Sequence, residues 1–125
     1  MTDPTRLSVI VTTYNNGRTL RACLESVKWA NEIVVLDSLS TDDTLAIARN
    51  YNTRIHQHRF MGYGPQKQMA VELASNDWVL LLDADEVLSP ALQDELRQLL
   101  QEAPAADGYE ICLLYTSPSP RDRQK

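Results

Sequence analysis

The sequence is short of cysteine, has no long apolar run and carries no excess of basic charge, and each shortage removes a class of protein. Cys23 and Cys112 are the only cysteines among 125 residues. With no Cys-x-x-Cys or Cys/His spacing around them, neither a disulfide framework nor a zinc site is indicated, and both read as plain thiols. No apolar stretch approaches the roughly 20 residues that a membrane-spanning helix needs. The opening segment, Met1 to Arg6, lacks the basic-then-apolar layout of a signal peptide, so the expected compartment is the cytoplasm. A formal net charge of -5 argues against a nonspecific nucleic-acid binder, which needs a basic face to displace counterions from phosphates. Arg121, Arg123 and Lys125 stand against Asp122 alone at the end of the chain, so the body before them is more acidic still. An acidic body whose ligand is an anion needs a metal or local donors. Repeats and low-complexity stretches are missing as well.

What is there fits one small domain: 43% hydrophobic and 23% charged residues are ordinary for a globular chain. Leu7 to Thr12 is a β-branched, nearly all-apolar run that predicts a strand covered on both faces, as in a parallel sheet. Leu20, Cys23, Leu24 and Val27 then recur at helical spacing, so one helical face is buried. Glu32 to Asp37 repeats the buried-strand pattern. Ser40, with Asp42 and Asp43, predicts an N-cap and acidic first turn for a helix running to about Tyr51. A weaker strand around Thr53 to His58 leads to a loop with Gly62 and Gly64, and Pro65 suits the first turn of a helix carrying Met69, Ala70, Leu73 and Ala74. Trp78 to Leu82 predicts a fourth strand. Ser89 as N-cap, Pro90 at the first helical position and Leu92, Leu96, Leu99 and Leu100 predict the last helix. This alternation specifies an α/β sandwich with a mainly parallel sheet, whose ligands sit beyond the carboxyl ends of the strands.

Three polar groups fall at such ends: Thr12 to Asn15, Asp37, and the acidic cluster Asp83, Asp85 and Glu86. An Asp-x-Asp turn can hold a hard divalent cation that neutralises a diphosphate, which reconciles an acidic protein with an anionic ligand. Alone, such a turn is more commonly a solvated acidic cap on the next helix. His56 and His58 share one strand face but have no third ligand in view, so they read as surface or loop residues. Trp29, Tyr51 and Trp78 read as core or boundary aromatics.

Read together, the segments LSVIVTTYNN, SVKWANEIVVLDSLSTDDT, GYGPQKQMA and DWVLLLDADEVLSPAL resemble, in order and spacing, the successive motifs of family 2 glycosyltransferases with the GT-A fold. The resemblance covers about residues 6 to 111. Its pattern is similar to that of bacterial lipopolysaccharide-core glucosyltransferase-like proteins, whose KWADEIVVVDSGSTDGT and G-x-x-Q-K-N segments are nearly repeated here. The fold it implies is a three-layer α/β/α sandwich. The activity it implies is inverting transfer of a sugar, glucose in the first instance, from a nucleotide-sugar donor, UDP-linked, to a glycan or lipopolysaccharide-core acceptor. Lipid-linked acceptors would draw such an enzyme to the inner face of the bacterial inner membrane. The resemblance further implies that Thr12, Thr13, Tyr14 and Asn15 line the nucleotide pocket and that Asp37 hydrogen-bonds the uracil. Lys67 would face the nucleotide, Asp83 would contact the ribose or a metal-bound water, Asp85 would hold Mn2+ or Mg2+ at the diphosphate, and Glu86 would help to orient the donor sugar. The family's catalytic base lies well downstream, beyond this chain.

Two positions depart from the family pattern: the usual glycines of SGSTDGT are Leu39 and Asp43 here, where glycine permits a positive φ or a close approach to ligand. A bulky Leu39 beside the base pocket is expected to weaken nucleotide binding. After Ile111 the α/β pattern stops, and CLLYTSPSPRD resembles the conceptual translation of a sequencing adapter. Residues 1–111 are thus expected to form the nucleotide-sugar-binding part of the domain, and residues 112–125 a non-native or disordered tail. Other functions remain in view. A sugar-nucleotide pyrophosphorylase would carry a Gly-rich basic loop where this chain has TTYNNGR. A receiver-like signalling domain would cluster its acids after the first and third strands. A short nucleotide-binding domain without catalysis is the remaining alternative.

Overall fold

A computed structural model of the chain describes residues 6–76 and 78–102. Four strands, β1 (Leu7–Thr13), β2 (Glu32–Asp37), β3 (Arg54–Gln57) and β4 (Trp78–Asp83), alternate with helices α1 (Leu20–Val27), α2 (Thr44–Ala48), α3 (Tyr63–Leu73) and α4 (Pro90–Glu102). The strands form one sheet in the order β3-β2-β1-β4, with every pairing parallel. The expected α/β sandwich is therefore present. The tail expected over residues 112–125 lies outside the described residues.

Pleat alternation divides each strand between two cores. Val9, Val11, Ile33, Val35, Leu80 and Leu82 face α1, α2 and α4, through Leu20, Leu24, Val27, Ile47, Leu96 and Leu100. Ile10, Val34, Leu36, Val79 and Leu81 face α3 through Ala70, with Met69, Leu73 and Ala74 at the margin. Helices on both faces make three layers, and this is why β1, β2 and β4 read as continuous apolar runs rather than alternating ones. Trp29, Tyr51 and Trp78 pack against the first core as boundary residues.

At the amino ends of the strands a polar clamp fixes the layers. Ser8 Oγ donates to Glu32 Oε1 at 2.7 Å, Ser75 donates to Glu32 from its backbone N–H (2.9 Å) and its hydroxyl (2.8 Å), and Arg54 pairs with Glu32 Oε2 at 3.1 Å. Asn76 donates to Ser8 Oγ from both its backbone and side-chain nitrogens. Residues from β1, β2, β3 and the α3–β4 connection thus converge on one carboxylate.

The helix ends follow the sequence unevenly. Ser89 caps α4 as expected, its Oγ accepting from Leu92 N–H at 3.1 Å. Ser40 does not cap α2. The cap position is Asp43, with no side-chain bond to the helix, and α2 ends at Ala48 instead of reaching Tyr51. Ser40 is turned toward Asp37, donating to it from both N–H and hydroxyl, while its Oγ accepts from Asn15 N–H, so its oxygen is engaged away from the helix.

Candidate functional site

In the order β3-β2-β1-β4 the chain moves outward from β1 through β2 to β3, then returns to the opposite side of β1 as β4. The gap between the two directions of winding is where a doubly wound sheet opens a crevice at its carboxyl edge. The register places Thr12 opposite Asp83 and Thr13 opposite Asp37 at that edge. Because adjacent residues point to opposite faces, the two pairs separate: Thr12 and Asp83 lie on the α3 side, Thr13 and Asp37 on the side of α1 and α2.

At the crevice, Thr12 Oγ1 donates to Asp83 Oδ1 at 2.9 Å, and Ala84 N–H extends the ladder to Thr12 O at 3.1 Å. The following turn closes on itself, with Glu86 N–H donating to Asp83 O and Asp83 N–H donating to Glu86 Oε1 at 3.0 Å. Glu86 is half-buried and braces the turn, while Asp83 and Asp85 are exposed. All three acids act on one neighbour. Burial, and then the negative charges of Glu86, Asp85 and Asp83, push the Cys23 thiol up to about 12. Two exposed carboxylates on a single turn fit a hard cation that takes one or two protein oxygens and completes its shell with phosphate and water. Among the described residues no group of three or more His, Cys, Asp or Glu could enclose a metal by itself.

Asp37 is fully buried and its oxygens are taken up by the chain. Oδ1 accepts from Thr13 Oγ1 at 2.5 Å and Ser40 Oγ at 2.6 Å; Oδ2 accepts from Ser40 N–H at 2.8 Å and Gln57 Nε2 at 3.3 Å. Burial pushes this carboxyl up, but the bonds from Ser40, Thr13 and Gln57 outweigh it and hold the pKa below the ordinary carboxylate value. Here Asp37 joins three strand ends to the following loop and presents no free oxygen at the surface.

That loop is held from β1 by Asn15, which adopts a positive φ of 50°. Asn15 N–H donates to Ser40 Oγ at 2.7 Å, and its Oδ1 accepts from Thr41 N–H at 2.8 Å and Asp42 N–H at 3.3 Å. Asp42 in turn accepts from Thr44 Oγ1 and from Gly17 N–H. The two departures from the glycine pattern resolve differently. Leu39 takes the left-handed conformation that glycine would adopt, at φ 65°, with its side chain 49% exposed. Asp43 keeps a negative φ, and the close approach is made on the facing loop: a Cβ on Gly17 would stand 2.0 Å from Asp43 Oδ1.

Tyr14 is exposed at the same edge, and Lys67 is exposed on α3. Beside Lys67, Gln66 is buried, and its Nε2 donates to Ser38 Oγ at 3.3 Å. The sequence pattern marks none of Gln57, Ser38 and Gln66 individually, and marks Ser40 only as a helix cap. Each is an ordinary polar residue whose partner lies on another element or across a turn, so only GPQK, as a motif, pointed toward Gln66. A shallow polar depression of about 400 Å³, lined by Glu25, Lys28, Asn50 and Tyr51 among others, lies at the amino ends of β2 and β3, away from this edge.

Comparison with known proteins agrees with this geometry. The family described as Glycosyl transferase family 2 matches residues 8–115. An uncharacterised glycosyltransferase of Rickettsia conorii is 41% identical over 95 residues, covering 75% of this chain and 34% of that protein. The lipopolysaccharide core biosynthesis glycosyltransferase LpsC of Rhizobium meliloti is 37% identical over 110 residues, covering 84% of this chain and 41% of that protein. The chain therefore spans well under half the length of these relatives. Among solved structures, Staphylococcus aureus TarS (residues 1–349) superposes with a TM-score of 0.64 at 29% identity, over 76% of this chain and 32% of that one. Glucosyl-3-phosphoglycerate synthase of Mycobacterium tuberculosis, in complex with Mn2+, UDP-glucose and phosphoglyceric acid, superposes with a TM-score of 0.59 at 25% identity, over 66% of this chain and 34% of that one.

Proposed function

Because the chain belongs to glycosyl transferase family 2, we propose that it forms the nucleotide-sugar-binding part of an inverting glycosyltransferase that takes a UDP-sugar, glucose foremost, and delivers the sugar to a glycan or lipopolysaccharide-core acceptor. The observation that carries this reading is the crevice itself: Thr12 bonded to Asp83 where β1 meets β4, with Asp85 exposed on the next turn. The Mn2+ and UDP-glucose bound by the mycobacterial synthase and the core-biosynthesis role in the name of the Rhizobium relative support the choice of cofactor, donor and acceptor.

In this account Asp85, with Asp83, holds Mn2+ or Mg2+ against the diphosphate. The ion's contribution is to offset the negative charge that builds on the departing diphosphate as the sugar bond breaks. The chain's own residues do the positioning. Thr12 fixes one oxygen of Asp83, leaving the other for the ribose or a metal-bound water. Glu86 holds the acidic turn in shape and so orients Asp85 and the donor sugar. Thr13 and Asp37 brace the loop against which the base lies, Tyr14 and Asn15 form its outer wall, and Lys67 supplies a positive charge on the α3 side. A lipid-linked acceptor would bring the protein to the inner face of the membrane; among the described residues no helix is long and apolar enough to cross it.

Calorimetric titration of UDP into the full chain, with and without Mn2+, tests the reading. Binding should require the metal and fall at least about tenfold in Asp85→Ala, the scale of losing one charge-assisted contact of about 1.5–3 kcal/mol. Binding that ignores both the metal and the substitution would overturn the assignment.

A further inference from the structure

Apolar exposure is unevenly placed on this molecule. Among the described residues the well-exposed large hydrophobics are Tyr14, Leu39, Phe60, Met61, Tyr63, Val87 and Leu99, and all but Leu99 lie in, or open the helix after, the connections that leave the carboxyl ends of the strands. Single exposed apolar residues need no explanation, but a contiguous group does. Phe60, Met61 and Tyr63 make such a group between β3 and the first residue of α3, with 51%, 38% and 86% of their surfaces exposed. The rings of Phe60 and Tyr63 pack on each other edge to face, their centroids 5.2 Å apart, and neither belongs to a core cluster. Gly62, at φ 102°, lies between them and lets the chain turn there.

The charge around the group has one sign. From Thr44 to Val71 the chain carries Arg49, Arg54, Arg59 and Lys67 and none of its 17 acids. Arg54 is paired with Glu32 at the opposite edge, and Arg49 ends α2 on the other face of the sheet. Arg59 stands next to Phe60 in the chain, and Lys67, one turn along α3 from Tyr63, continues the positive charge toward the crevice. Both are exposed. A chain of net charge -5 thus presents its exposed rings with basic neighbours only.

We propose that Phe60, Met61 and Tyr63 dock the protein on a bilayer with anionic headgroups. Phe60 and Met61 enter the boundary between headgroups and acyl chains, and Tyr63 lies at headgroup level with its hydroxyl toward water. Arg59, with Lys67 behind it, faces the anionic headgroups. The same surface repels the acidic remainder of the protein, so contact is confined to this edge. Binding is reversible, as befits a few side chains without a lipid anchor. Docking at this edge turns the crevice toward the membrane, where a lipid-linked acceptor would present its sugar. That consequence rests on the transferase reading above; the docking itself does not.

Cosedimentation of the full chain with vesicles tests the proposal. Vesicles of mixed phosphatidylethanolamine and phosphatidylglycerol should bind the chain more tightly than phosphatidylcholine vesicles, and added salt should narrow the difference. Phe60→Ser combined with Met61→Ser should weaken binding to the anionic vesicles about tenfold. Arg59→Glu should weaken it at least about fivefold while changing phosphatidylcholine binding little. Leu99→Ser, which removes an exposed apolar side chain from α4, should leave it unchanged. Absence of binding to the anionic vesicles, or an equal loss in Leu99→Ser, would overturn the proposal. So would self-association in analytical ultracentrifugation that the Phe60 and Met61 substitutions abolish, without vesicle binding, since a second copy would then cover the group. Arg59→Glu deletes no apolar contact, so it decides the matter even if the double variant fails to fold. The UDP titration is done without lipid: a chain that binds UDP with Mn2+ but no vesicles loses the docking surface and keeps the nucleotide site, and the reverse result does the opposite.

Discussion

Leu39 is the residue whose conformation most plainly costs stability. Holding an L-residue in the left-handed region costs about 1–2 kcal/mol, and glycine would give back about 0.5–1 of that through its greater freedom in the unfolded chain. With its side chain 49% exposed at φ 65°, Leu39 has little burial to lose. Leu39→Gly should therefore raise unfolding stability by about 0.5–1 kcal/mol in urea titration; a loss of stability would show that the side chain packs in a way its exposure does not suggest. Cys23 offers a second check at this scale. Its thiol is fully buried and pushed up to about 12 by burial and the acidic turn, so thiol reagents at pH 8 should label it at the rate of unfolding and not before. The residue scale is also where reading the sequence works least evenly. Asp83 and Asp85 stand out because they end an apolar run. Asp37 stands out for the same reason, yet its buried, fully bonded state depends on Ser40 and Gln57, whose involvement no local pattern announces.

The elements themselves are legible because burial on both faces of a parallel sheet leaves a strong mark. β2 runs over the residues expected of it, and β1 and β4 each extend one residue further, into the polar residues that form the site. The α4 cap at Ser89 follows the local pattern, its Oγ accepting from Leu92 N–H three residues on. Ser40 is misread because its hydroxyl is drawn to Asp37 and its oxygen accepts from Asn15 N–H on another loop. The amino-end clamp makes a prediction about elements as a group. Burial raises the Glu32 carboxyl, but bonds from Ser8 and Ser75 and the charge of Arg54 outweigh it, so its pKa lies below the ordinary 4.5. A carboxyl depressed on folding stabilises the native state above its unfolded pKa and loses that contribution as pH falls through the folded one. Asp37, lowered from 3.8, behaves alike. Stability should thus fall as pH drops below about 4.5, and Glu32→Gln should both flatten that fall and cost about 2 kcal/mol at pH 7, since hydrogen bonds to a charged group are worth roughly 1.5–3 kcal/mol. Thermal melts from pH 3 to 7 check both. An unchanged pH slope in the variant would remove Glu32 from the account.

At the scale of the whole molecule, the sheet order determines which polar residues meet. Thr12 and Asp83 are 71 residues apart and touch only because β4 returns to the free side of β1. Strand and helix alternation predicts that the carboxyl ends converge, but the order of the strands, and so the pairing, lies in contacts that a linear pattern does not specify. In the function proposed above, this meeting point is a metal-assisted diphosphate site. The most direct measurement is anomalous diffraction from crystals of the full chain grown with UDP and Mn2+. A manganese peak within bonding distance of Asp85, with the diphosphate on its far side and the base against the loop walled by Tyr14 and Asn15, is the predicted result. UDP bound elsewhere, or a manganese site away from the β4 turn, would contradict it.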